Sequence, residues 1–96
     1  MPALLSVTIR PIQPERIKEY ISQVPPTMAP FGAKMLSRGK ITKMLLGDQR
    51  GHALEAVFEF PDMDALEGWY NSPAYQALAP LRDEVCEMTL AAVESF

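Results

Sequence analysis

Between residues 53 and 60 the chain alternates with a period of two, and no other stretch restricts the fold as much. Leu54, Ala56, Phe58 and Phe60 fall on one side, and Glu55, Val57 and Glu59 on the other. Successive side chains of a strand point to opposite faces, so this pattern predicts a strand with one apolar and one mixed face. Residues 4–10 repeat the theme, with Leu5, Val7 and Ile9 against Ser6, Thr8 and Arg10. Residues 33–38 read as another strand, with Lys34, Leu36 and Arg38 on one face and Met35 and Ser37 on the other. Residues 41–46 extend it after a break at Gly39, the run 47–51 (GDQRG) is a turn, and 89–94 closes the chain as a strand.

Helical signals lie between the strands. Pro14 suits a first helical turn and Glu15 its positive end. Ile17, Tyr20, Ile21 and Val24 then form one apolar stripe, and Pro25-Pro26 must kink any helix that continues past them. Asp62 is an N-cap for a helix running to about Tyr70, with Met63, Leu66, Trp69 and Tyr70 inward. Asn71-Ser72-Pro73 breaks that helix, Ser72 caps the next, and Pro73 takes its first position, where no N–H is needed. Ala74, Leu78, Leu81 and Val85 continue as a stripe that Pro80 interrupts.

The element order is β-α-β-β-α-β with a split second helical segment. That is a ferredoxin-like α+β pattern, an antiparallel sheet with helices on one face, formed by residues 1–96 as a single domain. The uncovered face is expected to carry Ser6, Thr8, Arg10, Glu55, Val57 and Glu59, with Leu36 and Arg38 beside them. A mixed face of this kind meets a partner sheet, so a homodimer enclosing a partly polar cavity is expected. The net charge of −3, with lysines and arginines scattered, offers no footprint for nucleic acid. No run approaches the roughly 18 apolar residues of a membrane span, and no secretory leader is read. The single cysteine, Cys86, cannot pair within the chain and fits a reducing cytoplasm as a small buried hydrophobe.

Several stretches, QPERIKEY (13–20), FGAKMLSRG (31–39), LEAVFEFPDMDALEGWYNSPAYQALAPLRDE (54–84) and LAAVES (90–95), together resemble the domain-of-unknown-function family 1330. Its most specific mark here is Trp69-Tyr70-x-Ser72-Pro73-x-Tyr75-Gln76 followed by Leu81-Arg82. The resemblance implies a dimeric α/β-barrel of ferredoxin-like domains. It implies little chemistry, since that superfamily holds cofactor-independent monooxygenases, haem-degrading enzymes and small-molecule isomerases. Two positions depart from the family's pattern. Gln13 stands where an aspartate usually caps the first helix, and Gly68 lies inside the second.

The candidate site residues follow from side-chain chemistry. Arg38, ending a strand before Gly39, offers a planar fork for a carboxylate, or completes an ion pair with Glu55 or Glu59. Arg82 shares a helix face with Tyr75, seven residues earlier, and Tyr70 and Tyr75 supply phenols for a pocket rim. Trp69 reads as core packing. His52, the only histidine, is a general base near neutral pH or a solvated loop residue, and Glu59 is the alternative base. One His and one Cys do not make a metal site, and no cofactor motif is present, so neither metal nor cofactor is expected. Two function classes remain: a binder of a small anionic or carbonyl-containing molecule, acting without a cofactor if it is an enzyme, or a non-catalytic structural or regulatory homodimer.

Overall fold

A computed structural model describes residues 1–96. Four strands, β1 (Ala3–Pro11), β2 (Lys34–Lys40), β3 (Leu54–Phe60) and β4 (Cys86–Glu94), form one antiparallel sheet in the order β2-β3-β1-β4. The crossovers carry α1 (Ile17–Ile21), α2 (Val24–Met28), α3 (Met63–Tyr70), α4 (Pro73–Gln76) and α5 (Ala79–Val85), with a 3₁₀ turn at Ala29–Phe31. This is the ferredoxin-like α+β topology, and β1 lies at its centre.

The core lies between the sheet and the helices. Ala3, Leu5, Val7 and Ile9 of β1 are buried, and the alternate residues are half-buried on the other face. Phe60, Trp69, Tyr75 and Val85 are the largest fully buried side chains. Each such side chain contributes on the order of 1.5–3 kcal/mol by leaving water. Phe60 packs against Trp69 at 5.7 Å between ring centres, and Trp69 against Tyr75 at 4.3 Å. The Trp69 indole N–H donates to Thr27 Oγ1 at 2.9 Å, so burial leaves no orphaned donor.

The prolines divide the helices where a missing N–H is tolerated. Pro25 lies in the first turn of α2 and Pro80 in the first turn of α5, so each begins a new helix after a break. Asp62 caps α3 by accepting from the Ala65 N–H at 2.8 Å. Ser72 caps α4 by accepting from the Tyr75 N–H at 3.2 Å. Gly68 is explained by a close approach: a β-carbon there would lie 3.2 Å from the Phe31 ring. Gln13 caps no helix. Its side chain accepts from Arg16 and donates to the Glu84 carbonyl, tying the start of α1 to the end of α5.

Three strand expectations change. β2 ends at Lys40, and residues 41–46 form no strand. β4 begins at Cys86 rather than at residue 89, directly after α5. A bulge between Met35 and Ser37 shifts the register of β2. Lys34 opposes Glu59, but Arg38 opposes Ala56, so the two basic residues lie on opposite faces. A bulge adds one residue and reverses the alternation beyond it, which a strict period-2 reading cannot anticipate. Met35 and Met44 are exposed at 46% and 40%.

Candidate functional site

The C-terminal end of α3, α5 and the first half of β4 line an open cavity of about 430 Å³. Its floor is Cys86, Met88 and Leu90, its walls include Tyr70 and Ile12, and its polar groups are Arg82, Asp83 and Glu87. The split of the second helical segment builds this cavity. The caps at Asp62 and Ser72 hold α3 and α4, so Tyr70 ends one helix while Arg82 rises from α5 beside it.

A chain of hydrogen bonds runs inward from Arg82. Its Nη1 donates to the Tyr75 hydroxyl at 3.2 Å, and that hydroxyl bonds the Tyr20 hydroxyl at 2.8 Å. Its Nε donates to Asp83 Oδ1 at 2.9 Å. Burial alone would lower the Arg82 pKa, but the bonds to Asp83 and Tyr75 outweigh it and the guanidinium is held more firmly charged. Burial, reinforced by the bond to Tyr75, pushes the Tyr20 phenol well above its ordinary range. Burial also raises the Cys86 thiol, with Asp83 adding to the effect and Arg82 opposing it.

A second polar cluster lies on the uncovered face. His52 is only 7% exposed, not a solvated loop residue. Its Nδ1 lies 3.0 Å from Thr8 Oγ1 and its Nε2 lies 3.4 Å from Glu87 Oε1. Arg10 donates to the other Glu87 oxygen at 2.8 Å, and the Thr8 and Thr89 hydroxyls bond one another. The hydrogen bond and charge of Arg10, then the bond to His52, hold the Glu87 carboxyl below the usual carboxylate range.

The expected site residues therefore separate. Tyr70 and Arg82 meet at one cavity. Tyr75 is fully buried behind Arg82 and is not at the rim. Arg38 stands on the edge strand β2, with β3 and β1 between it and β4, roughly 14 Å of sheet away at the usual strand spacing. It is exposed, makes no ion pair with Glu55 or Glu59, and reaches neither cluster. Glu59 faces Leu4 and Lys34 at the far end of β3, roughly 17 Å of strand from Leu54, next to the His52 loop. His52 and Glu59 do not share a site. Thr8, Arg10, Glu87 and Thr89 were not foreseen as a group. The pairing of Thr8 with Thr89 and of Arg10 with Glu87 is a matter of register between strands at opposite ends of the chain.

The topology and the helix-side cavity define the class: a ferredoxin-like α+β domain with one face of its sheet uncovered. The chain belongs to the family described as Domain of unknown function (DUF1330), which matches residues 2–96. No curated protein matches it. Among solved structures it is similar to a protein of unknown function from Rhodopseudomonas palustris, at TM-score 0.80 and 18% identity over 99% of this chain and 82% of that one. It is also similar to a dimeric ferredoxin-like protein of unknown function from Jannaschia sp., at TM-score 0.78 and 14% identity over 99% and 100%. SnoaB, a cofactor-independent oxygenase from Streptomyces nogalater, superposes at TM-score 0.72 and 7% identity over 99% and 93%. These likenesses describe the fold. No helix of the chain is long and apolar enough to cross a membrane.

Proposed function

We propose that the chain is a homodimeric small-molecule binder whose ligand occupies the cavity between α3, α5 and β4. The observation that carries this reading is the convergence of Tyr70 and Arg82 over an apolar floor in a cavity of about 430 Å³. That volume is in the range of small-ligand sites. The chemistry narrows the ligand. Arg82 is already paired with Asp83, and Glu87 with Arg10, so a strong anion must displace a carboxylate to bind. A neutral carbonyl oxygen accepts from Arg82 without that penalty. We therefore favour a carbonyl-containing molecule over a free carboxylate, with an apolar body against Met88 and Leu90.

The homodimer rests on the uncovered face of the sheet. Leu4, Ser6, Val57, Ala91 and Val93 mix apolar and polar groups there without a covering layer. The Jannaschia neighbour is itself dimeric. Light scattering tests this: twice the chain mass is expected, and Val57→Lys is expected to give the monomer. If the chain acts on its ligand, oxygenation of or proton removal from an enolisable ketone is the class to try first. The oxygenase neighbour supports that choice by fold analogy alone. The unpaired, buried Cys86 fits a reducing cytoplasm.

A thermal-shift screen of small ketones, esters and carboxylates tests the binding reading, since stabilisation follows occupancy. Ketones are expected to raise Tm more than matched carboxylates, and Arg82→Gln is expected to remove the shift. Stabilisation unaffected by Arg82→Gln, or none with any compound, leaves the structural or regulatory dimer as the better reading. In that case Arg82 serves only to close the Tyr75–Tyr20 network.

A further inference from the structure

The cluster on the uncovered face has the connectivity of an acyl-transfer relay. With Glu87 ionised and paired to Arg10, the His52 tautomer follows from the donors available. Nε2–H faces Glu87 Oε1 across a long contact of 3.4 Å, which leaves Nδ1 as the acceptor for the Thr8 hydroxyl. The Thr8 oxygen then accepts from Thr89. A hydroxyl thus donates to an imidazole whose other nitrogen faces a carboxylate paired with Arg10, the order of groups that activates a hydroxyl nucleophile on several unrelated folds.

The site is built, not incidental. The loop before β3 is pinned to the sheet by Ala53 N–H to the Ile9 carbonyl at 2.8 Å, and His52 N–H bonds the Gln49 carbonyl at 2.9 Å. Gly51 has φ +76°, and a β-carbon there would lie 2.6 Å from Arg10 Cδ. The loop therefore closes on the stem of the arginine that holds Glu87. Beside the relay is a cavity of about 140 Å³ lined by Thr8, Thr89 and His52, with Arg50 as its one guanidinium.

We propose that Thr8 is a nucleophile toward short-chain esters, with His52 as its general base and Glu87 as the positioning residue for the imidazole. Thr8 Oγ1 forms a bond to the ester carbonyl carbon while its proton passes to His52 Nδ1. Collapse of the tetrahedral intermediate breaks the ester C–O bond, and the imidazolium returns the proton to the departing alcohol. Water then adds to the acyl-threonine by the same route, which releases the acid and restores Thr8. No oxidant or metal is consumed. Thr89 donates to the reacting oxygen, and Arg50 and Asp48 both line the pocket, so the cation there is offset by a carboxylate. The space beside Thr8 is small, about 140 Å³, and open to the face of the sheet. An acetyl or propionyl group fits, and the alcohol part extends outward. This site shares only Glu87 with the helix-side cavity, and a failure confined to Thr8 or His52 would not touch the binding reading there.

The test is 4-nitrophenyl acetate with the intact protein, read by nitrophenolate release and peptide mapping. An acetyl group on Thr8 approaching one per chain is expected, with 4-nitrophenyl octanoate at least tenfold slower. Thr8→Val is expected to abolish the adduct, and His52→Gln to slow its formation at least about 100-fold, the usual contribution of a general base. Glu87→Gln is expected to slow acetylation of Thr8 with KM unchanged, and Glu87→Asp to restore part of the rate. A merely structural Glu87 would leave the rate of the folded protein in place. Arg38→Ala is the unchanged control. Acetyl groups only on lysines or the N-terminus overturn the proposal, as does an acetyl-Thr8 that forms equally fast in His52→Gln.

Discussion

The two polar clusters are built from similar parts and behave differently because of burial. Tyr20, Tyr75 and Arg82 lie under the helices, where the two phenols are buried and each has its partner. Thr8, His52, Glu87 and Arg10 lie on the uncovered face, where His52 is buried but Arg10 and Glu87 keep side chains 42% and 54% exposed. An unpaired group is costly in the first setting and solvated by water in the second. Disrupting the first cluster is thus expected to cost more stability than disrupting the second.

Substitutions can break this contrast, the largest effect first. Trp69→Ala removes the ring at the centre of the helix-side core and is expected to cost about 3–5 kcal/mol in urea unfolding, the usual range for a buried Trp. Tyr75→Phe keeps the ring but leaves Tyr20 and Arg82 each short of a partner. A loss of about 1–3 kcal/mol is expected, and Tyr20→Phe added to it should cost little more, because the orphaned group is then gone. If the two losses simply add, the buried network is not a unit.

On the uncovered face the expected effects are smaller and depend on pH. Glu87 has its carboxyl depressed in the fold, so its contribution is present above the ordinary carboxylate range and is lost as pH falls through the lowered value. Wild type should therefore exceed Glu87→Gln in Tm at pH 7, with the gap closing below about pH 4. A gap that persists at pH 3 breaks the assignment of its stabilising role to the ionised form. Arg38→Ala should change stability by less than about 0.5 kcal/mol, as for an exposed side chain without a partner. A larger loss means that β2 is covered in the assembled protein.

Local chemistry could be read directly. The caps at Asp62 and Ser72 and the helix starts at Pro25, Pro73 and Pro80 need only neighbours within three or four positions. Tyr75 and Arg82 meet although they stand in separate helices, α4 and α5, so a shared face along one helix does not account for their contact. Arg38 was placed on the wrong face because a single bulged residue reverses the alternation. His52 resembled a solvated loop residue because nothing in its neighbours shows that the loop folds back onto β1.

By itself the sequence determined the element order, the helix breaks and which face of each regular strand is apolar, because those depend on side-chain periodicity and on backbone groups close along the chain. Tertiary structure alone decided that Thr8 meets Thr89, that Arg10 meets Glu87, and that His52 is buried between Thr8 and Glu87. These contacts join residues tens of positions apart. They are set by strand register and by the docking of one loop, and neither leaves a periodic trace.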